Sequence, residues 1–229
     1  MVCVSRIPFD PISRPSLPRH ECKYILGPAF QIVGLDDKHD NCPQQARALG
    51  EFFADTHLTA IHASDLKRAF TTAQVLYDGQ REPKPTFDSS QLLREQHFGV
   101  AEGKPWSYVT DRSFNLEEEM AKGVYPVPHG NDEKFTDGES INDLAQRAKE
   151  AITTIVLPHV WQAAKEGKAD IHVAVVGHGL CISHMVSQLL KMGAKQDEEL
   201  DYRGLWNTAW TRVVVESEVR VLTQRQRTN

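Results

Sequence analysis

The stretch Ile171-His172-Val173-Ala174-Val175-Val176-Gly177-His178-Gly179 decides the fold. An almost unbroken apolar run closing on Gly-His-Gly predicts a strand buried on both faces, since a sheet open to water on one side would show alternation instead. Beyond it, Ile182, Met185 and Leu189 recur at helical spacing. The same strand-then-helix order stands upstream, where Leu58 to Ala63 precedes Ala69, Ala73 and Leu76, with Ser64 as the expected N-cap. Working outward, Cys42, Ala46, Leu49 and Phe53 form one apolar stripe behind Asn41, and Pro43 suits a first helical turn. Ser140 and Asp143 make a capping-box pair ahead of Leu144, Ala148, Ile152 and Ile155. Thr208 to Val215 offers a last strand. Strands alternating with helices predict an α/β three-layer sandwich, a mostly parallel central sheet flanked by helices, with the ligand site at the carboxyl ends of its strands.

The 229 residues are 40% hydrophobic and 25% charged, enough apolar material for one sizeable core. A formal charge of -5 argues against a protein that neutralises many phosphates along a nucleic acid, while leaving room for a compact basic pocket. No apolar stretch reaches the ~20 residues of a membrane helix, and the first 20 residues lack the apolar middle of a signal peptide. A cytoplasmic protein with no nucleic-acid or membrane partner is expected. The four cysteines, Cys3, Cys22, Cys42 and Cys181, show no CxxC pairing, so neither a disulfide framework nor a zinc site is suggested. His57, His62, His172 and His184 match no metal-ligand spacing and read as ordinary.

Residues 1 to 18 read as a proline-rich arm, with prolines at 8, 11, 15 and 18 and a short strand expected at 2 to 7. A single domain follows from 19 to 229. Within it, about 100 to 137 carries little periodicity and reads either as a small inserted cap or as a solvated connection with one short helix near Asn115 to Lys122.

Several strings fall where the sheet would present its carboxyl edge: Arg19-His20, Ser64-Asp65-Leu66-Lys67-Arg68-Ala69, Leu93-Arg94-Glu95-Gln96-His97-Phe98-Gly99, Gly138-Glu139-Ser140, Gly177-His178-Gly179 and Asn207 to Arg212. In this order they resemble the histidine phosphatase superfamily, the phosphoglycerate mutase-like enzymes. The resemblance implies a metal-independent phosphatase that hydrolyses a small phosphomonoester through a phosphohistidine, with no cofactor. It makes His20 the nucleophile, Glu95 the acid that protonates the leaving oxygen, and Arg19, Arg68, His178 and Gly179 the cradle of the phosphate. Arginine suits such a clamp because its planar fork donates two hydrogen bonds to neighbouring oxygens and stays charged. Solvated surface charge is the competing reading of Arg68, and a local ion pair with Arg94 and His97 that of Glu95.

The start departs from the family pattern. Ser13 to Pro18 precedes Arg19 where a buried strand is usual, Glu21 stands in place of a glycine, and Leu26 in place of an asparagine, yet Arg19 keeps its distance of 49 residues from Arg68. Val2 to Ile7 is the candidate to fill the missing first strand; a chain start differing from the authentic one would leave the same trace. A carboxylate about 6 Å from a phosphate charge repels it by roughly 3 kcal/mol at an effective dielectric near 20, about two powers of ten in affinity. The alternative function is therefore a weakened or inactive relative that binds a phosphorylated ligand or a protein partner. A phosphoglycerate mutase is a further alternative.

Overall fold

The computed structural model describes residues 2–6, 29–33, 42–107, 115–128, 130–168, 170–193 and 210–215. It is an α/β fold around one six-stranded sheet. In chain order the sheet strands are β1 (Val2–Arg6), β2 (Ala29–Val33), β3 (Ala60–Ser64), β4 (Thr86–Ser90), β7 (His172–Val176) and β8 (Trp210–Val215), arranged β1-β8-β2-β7-β3-β4. The strands β2, β7, β3 and β4 run parallel, whereas β8 is antiparallel to both β2 and β1.

Strand β7 shows why its run is apolar from Val173 to Val176. Val173 and Val175 face one helical layer, α4 (Ile141–Ala151), α5 (Leu157–Glu166) and α6 (Gly179–Gly193), packing with Leu144, Ala148, Ile182 and Met185. Ala174 and Val176 face the other layer, α1 (Cys42–Phe53) and α2 (Lys67–Gly79), packing with Leu49, Ala69, Ala73 and Leu76. These layers leave β7 no solvent side, so its alternate positions need not be polar. Truncating one such residue, Leu144 to Ala, removes contacts worth about 2–5 kcal/mol.

Two local expectations change. Ser64 is the last residue of β3 and does not cap α2; Leu66 is the N-cap, without a side-chain cap bond, and the Ser64 hydroxyl accepts from the Leu66 N–H at 3.3 Å. The segment Val2–Arg6 is a strand, but it lies at the sheet edge against β8, and the interior position between β7 and β8 belongs to Ala29–Val33. That position needs neighbours on both sides, and β2, free of proline, supplies donors to both.

The capping box forms as written: the Ser140 hydroxyl accepts from the Asp143 N–H at 3.1 Å, and the Asp143 carboxylate accepts from the Ser140 N–H at 3.0 Å. After α4 the chain makes one π-helical turn, Ile152–Val156, before α5. Between the blocks lie β5 (Trp106–Ser107), α3 (Leu116–Ala121, capped by Asn115) and β6 (Tyr125–Pro126), with β5 and β6 paired in parallel. Among the described residues no helix is long and apolar enough to cross a membrane.

Candidate active site

Three parallel strands end side by side, at Ser64, Ser90 and Val176, and the segments leaving them carry the chemistry. His178 follows β7 and is fully buried, as is Ser64. Its Nδ1 accepts from the Arg68 Nε–H at 3.1 Å, which fixes the other nitrogen as the donor, so Nε2–H donates to the Ser64 hydroxyl at 3.0 Å. Burial first, and then the guanidinium groups of Arg68 and Arg147, bring the His178 pKa down to about 3, so the imidazole is neutral at pH 7. Arg68 is held at the start of α2, where its carbonyl also accepts from the Thr72 hydroxyl. The surface-charge reading of Arg68 therefore fails: its guanidinium is turned inward.

Glu95 meets the same place from the other side. Its Oε1 accepts from the N–H groups of Gln96 at 2.9 Å and Cys181 at 3.2 Å, and its Oε2 from Leu180 N–H at 3.2 Å. Leu180 and Cys181 open α6, so the carboxylate sits where the helix dipole and two amides without intrahelical partners favour negative charge. A Cβ built on Gly179 would lie 3.8 Å from Oε2, ordinary contact. Arg94, one of the partners in the competing ion-pair reading of Glu95, instead grips Asp65 with two bonds of 2.7 and 2.6 Å. That bond lowers the Asp65 pKa below its ordinary value.

A second ion pair holds the Glu95 loop. Arg147, on α4, donates from Nε and Nη2 to the two Glu139 oxygens at 2.7 Å each. It also donates to the carbonyls of Leu92 at 3.0 Å, Arg94 at 2.8 Å and Glu95 at 3.1 Å. Burial works to raise the Glu139 pKa, but hydrogen bonds from Arg147 and the His97 N–H hold it below the ordinary carboxylate value. Gly99 closes the loop with φ +55, and a Cβ there would lie 2.0 Å from the Thr136 carbonyl oxygen, so no other residue fits. Cys181, buried and with its thiol pKa pushed up to about 12 chiefly by burial, is no nucleophile at neutral pH.

Arg68, Glu95, Arg94, Arg147, Glu139 and His97 all line one cavity of about 890 Å³. The structure thus brings together Arg68, Glu95, His178 and Gly179 from three distant segments. Arg19 and His20, with Glu21, lie outside the described residues. Sequence reasoning had not found Ser64 as the partner of His178, nor the Arg147–Glu139 clasp. The Gly-Glu-Ser string was the only signal for the latter, because Arg147 sits in a helix among ordinary polar residues.

Arg68 and Glu95 line the cavity, while His178 is buried behind Arg68 and bonded to it. A guanidinium at the wall and the opening amides of a helix suit an anion, and the carboxylate is a group able to exchange a proton beside it. The family model of the histidine phosphatase superfamily (branch 1) matches residues 40–228, and the chain belongs to that superfamily. Fructose-2,6-bisphosphatase TIGAR B of Danio rerio is 38% identical over 38% of this chain and 35% of its own length, so the match spans about a third of that relative. A glucosyl-3-phosphoglycerate phosphatase of Mycolicibacterium vanbaalenii is 29% identical over 85% of this chain and 81% of its own. A probable phosphoglycerate mutase of Serratia proteamaculans is 26% identical over 76% and 74%. Among solved structures, the mycobacterial glucosyl-3-phosphoglycerate phosphatase in complex with inorganic phosphate is similar in fold, with a TM-score of 0.56, 22% identity, and coverage of 80% of this chain and 87% of that one. The relatives are thus phosphatases and mutases.

Proposed function

We propose that this chain is a metal-independent phosphomonoesterase acting through a phosphohistidine at His20, with Glu95 as the general acid and Arg19, Arg68, His178 and Gly179 as the phosphate cradle. The observation that carries the reading is the Ser64–His178–Arg68 chain of hydrogen bonds, set opposite a Glu95 carboxylate that three backbone N–H groups orient. In the first step the His20 nitrogen forms a bond to phosphorus as the bond to the leaving oxygen breaks, and Glu95 gives that oxygen its proton. In the second, water attacks the phosphohistidine, Glu95 takes the proton back, and inorganic phosphate leaves.

The arriving dianion would draw Arg68 towards its oxygens, and the field of that charge raises the His178 pKa from its resting value. Glu95 accepts hydrogen bonds on both oxygens at rest. Oε2, which accepts from the Leu180 N–H at 3.2 Å, is the oxygen assigned to carry the transferred proton. The names of the relatives point to small phosphorylated sugars and glycerates as the substrate class, and the cavity is of the usual size for such ligands.

One feature favours a second reading, a weakened member that binds a phosphorylated ligand without turnover: Glu21 beside the proposed nucleophile, with the charge penalty worked out above. Hydrolysis of an aryl phosphate separates the two. Activity in the wild type that disappears in both His20→Ala and His178→Ala, with unchanged circular dichroism, supports the enzyme. Activity retained by both variants rejects the assignment of these residues. Phosphate binding without hydrolysis, seen as a raised melting temperature, supports the second reading.

A further inference from the structure

A pair of histidines outside the site described above has no part in the proposed chemistry. His62 in β3 and His159 in α5 approach with Nε2···Nε2 at 2.8 Å, and both rings are half-buried. Burial first, then His159, brings the His62 pKa down to about 4, and burial lowers that of His159. Both imidazoles are therefore neutral at pH 7, the form that binds metal. Between them lies one proton, donated by one Nε2 and accepted by the other.

A carboxylate stands on the neighbouring strand. Asp88 in β4 is the register partner of His62 in the parallel pair β3–β4, so the two side chains leave the same face of the sheet. The Asp88 charge acts on both rings, favouring positive charge there. The π turn Ile152–Val156 ends three residues before His159 and shifts the phase of α5 relative to α4.

We propose that His62 and His159, with Asp88 as the third donor and water completing the shell, form a site for a borderline divalent cation such as Zn²⁺, Ni²⁺ or Cu²⁺. Two metal–nitrogen bonds of about 2.0–2.1 Å place their nitrogens about 2.9 Å apart at a right angle and about 3.3 Å apart at the tetrahedral angle, so the pair need open only by about 0.1–0.6 Å. Among the described residues no three such side chains stand preassembled, and Asp88 must turn towards the rings. The proton balance is simple. The ring that donated through Nε2 shifts its proton to Nδ1 through solvent, both Nε2 lone pairs then bind the cation, and no proton is released. Imidazole ligands select these cations over Mg²⁺, which prefers oxygen.

The test is calorimetric titration of the chelator-stripped full chain with zinc chloride, repeated with magnesium chloride, with thermal unfolding alongside. The expected result is one saturable Zn²⁺ event that raises the melting temperature and is not reproduced by Mg²⁺. His159→Gln and His62→Gln should each weaken it by about tenfold or more, and Asp88→Asn by less. His184→Gln and His178→Ala should leave it in place. No saturable event in the wild type, an equal response to Mg²⁺, or affinity unchanged in His159→Gln overturns the proposal. Should His62→Gln fail to fold, His159→Gln, on an outer helix, decides alone.

Discussion

Two histidine sites lie on one face of the same sheet, one pleat apart along β3, and their neighbours prepare them for opposite charges. His178 is bonded to Ser64, which ends β3, and to the Arg68 guanidinium. His62, two residues before Ser64, is bonded to His159 and feels the charge of Asp88, its register partner on β4. Burial makes both imidazoles neutral. What differs is the fixed charge beside them: a guanidinium suits the first to the anion proposed for it, and a carboxylate suits the second to the proposed cation. The residue type alone therefore assigns neither role.

The largest effect expected is on the first site. His178→Ala removes an acceptor that orients Arg68 and one of the two N–H groups from which the Ser64 hydroxyl accepts, and turnover of an aryl phosphate should fall about a thousandfold. Zn²⁺ binding at the second site should persist, which separates the two in one variant. Loss of both together would mean that the strand, rather than the site, had been damaged.

Next comes the Arg147 clasp. Arg147 lines the cavity, but its bonds run to Glu139 and to the carbonyls of Leu92, Arg94 and Glu95, which makes it a positioning residue for the Glu95 loop. Arg147→Met leaves Glu139 half-buried without its partner, at about 2–3 kcal/mol in stability. Displacing Glu95 by an ångström or less should lower kcat about a hundredfold with KM little changed. Arg147→Lys restores the charge but not the fork, so it should recover stability more than kcat. Equal recovery of both would show that charge, not the loop's position, is what matters.

A smaller gain is expected from Glu21→Gly. If Arg19-His20 is the functional motif, removing the carboxylate should strengthen phosphate binding, seen as a larger thermal shift, by between about ten- and a hundredfold. No change, or a loss, would take residue 21 away from the pocket.

Much of this was legible because the code involved is local. The strand at Ile171 to Val176, the capping box at Ser140 and the stripes of α1, α2 and α6 are set by periodicity and by side chain to backbone bonds within a few residues. The fold class followed from their order. The pairings were not legible. Ser64 read as a helix cap because a serine after a strand most often is one, and only the buried ring of His178, 114 residues away, reassigns it. Glu95 stood beside Arg94 in sequence, yet the guanidinium turned to Asp65, 29 residues upstream, where both oxygens could be met at once. His62 and His159 are 97 residues apart, so no metal-ligand spacing could show them. The strand that fills the sheet interior was placed at the wrong segment, since five residues such as Ala29–Val33 carry no pattern that distinguishes an interior strand from an edge one.

The smallest effect sharpens the comparison most. His178, with its pKa at about 3, and His62, at about 4, both titrate below an ordinary histidine at 6.5. Above 6.5 neither state of the chain binds the proton and the groups contribute nothing to the pH dependence. Below it the unfolded chain takes up protons that the folded one refuses, so stability falls with pH by about 1.4 kcal/mol per unit for each group, until the folded value is reached. The acid slope between pH 6 and 4 should therefore be reduced by about that amount in His178→Ala, and likewise in His62→Gln. Inorganic phosphate should distinguish them. An anion held beside His178 raises its folded pKa and flattens its share of the slope, while the share of His62, one pleat away with Asp88 on the neighbouring strand, stays as it was. If phosphate flattened the slope equally in His178→Ala and in the wild type, the anion would be bound elsewhere, and the contrast between the two sites would fail at its first term.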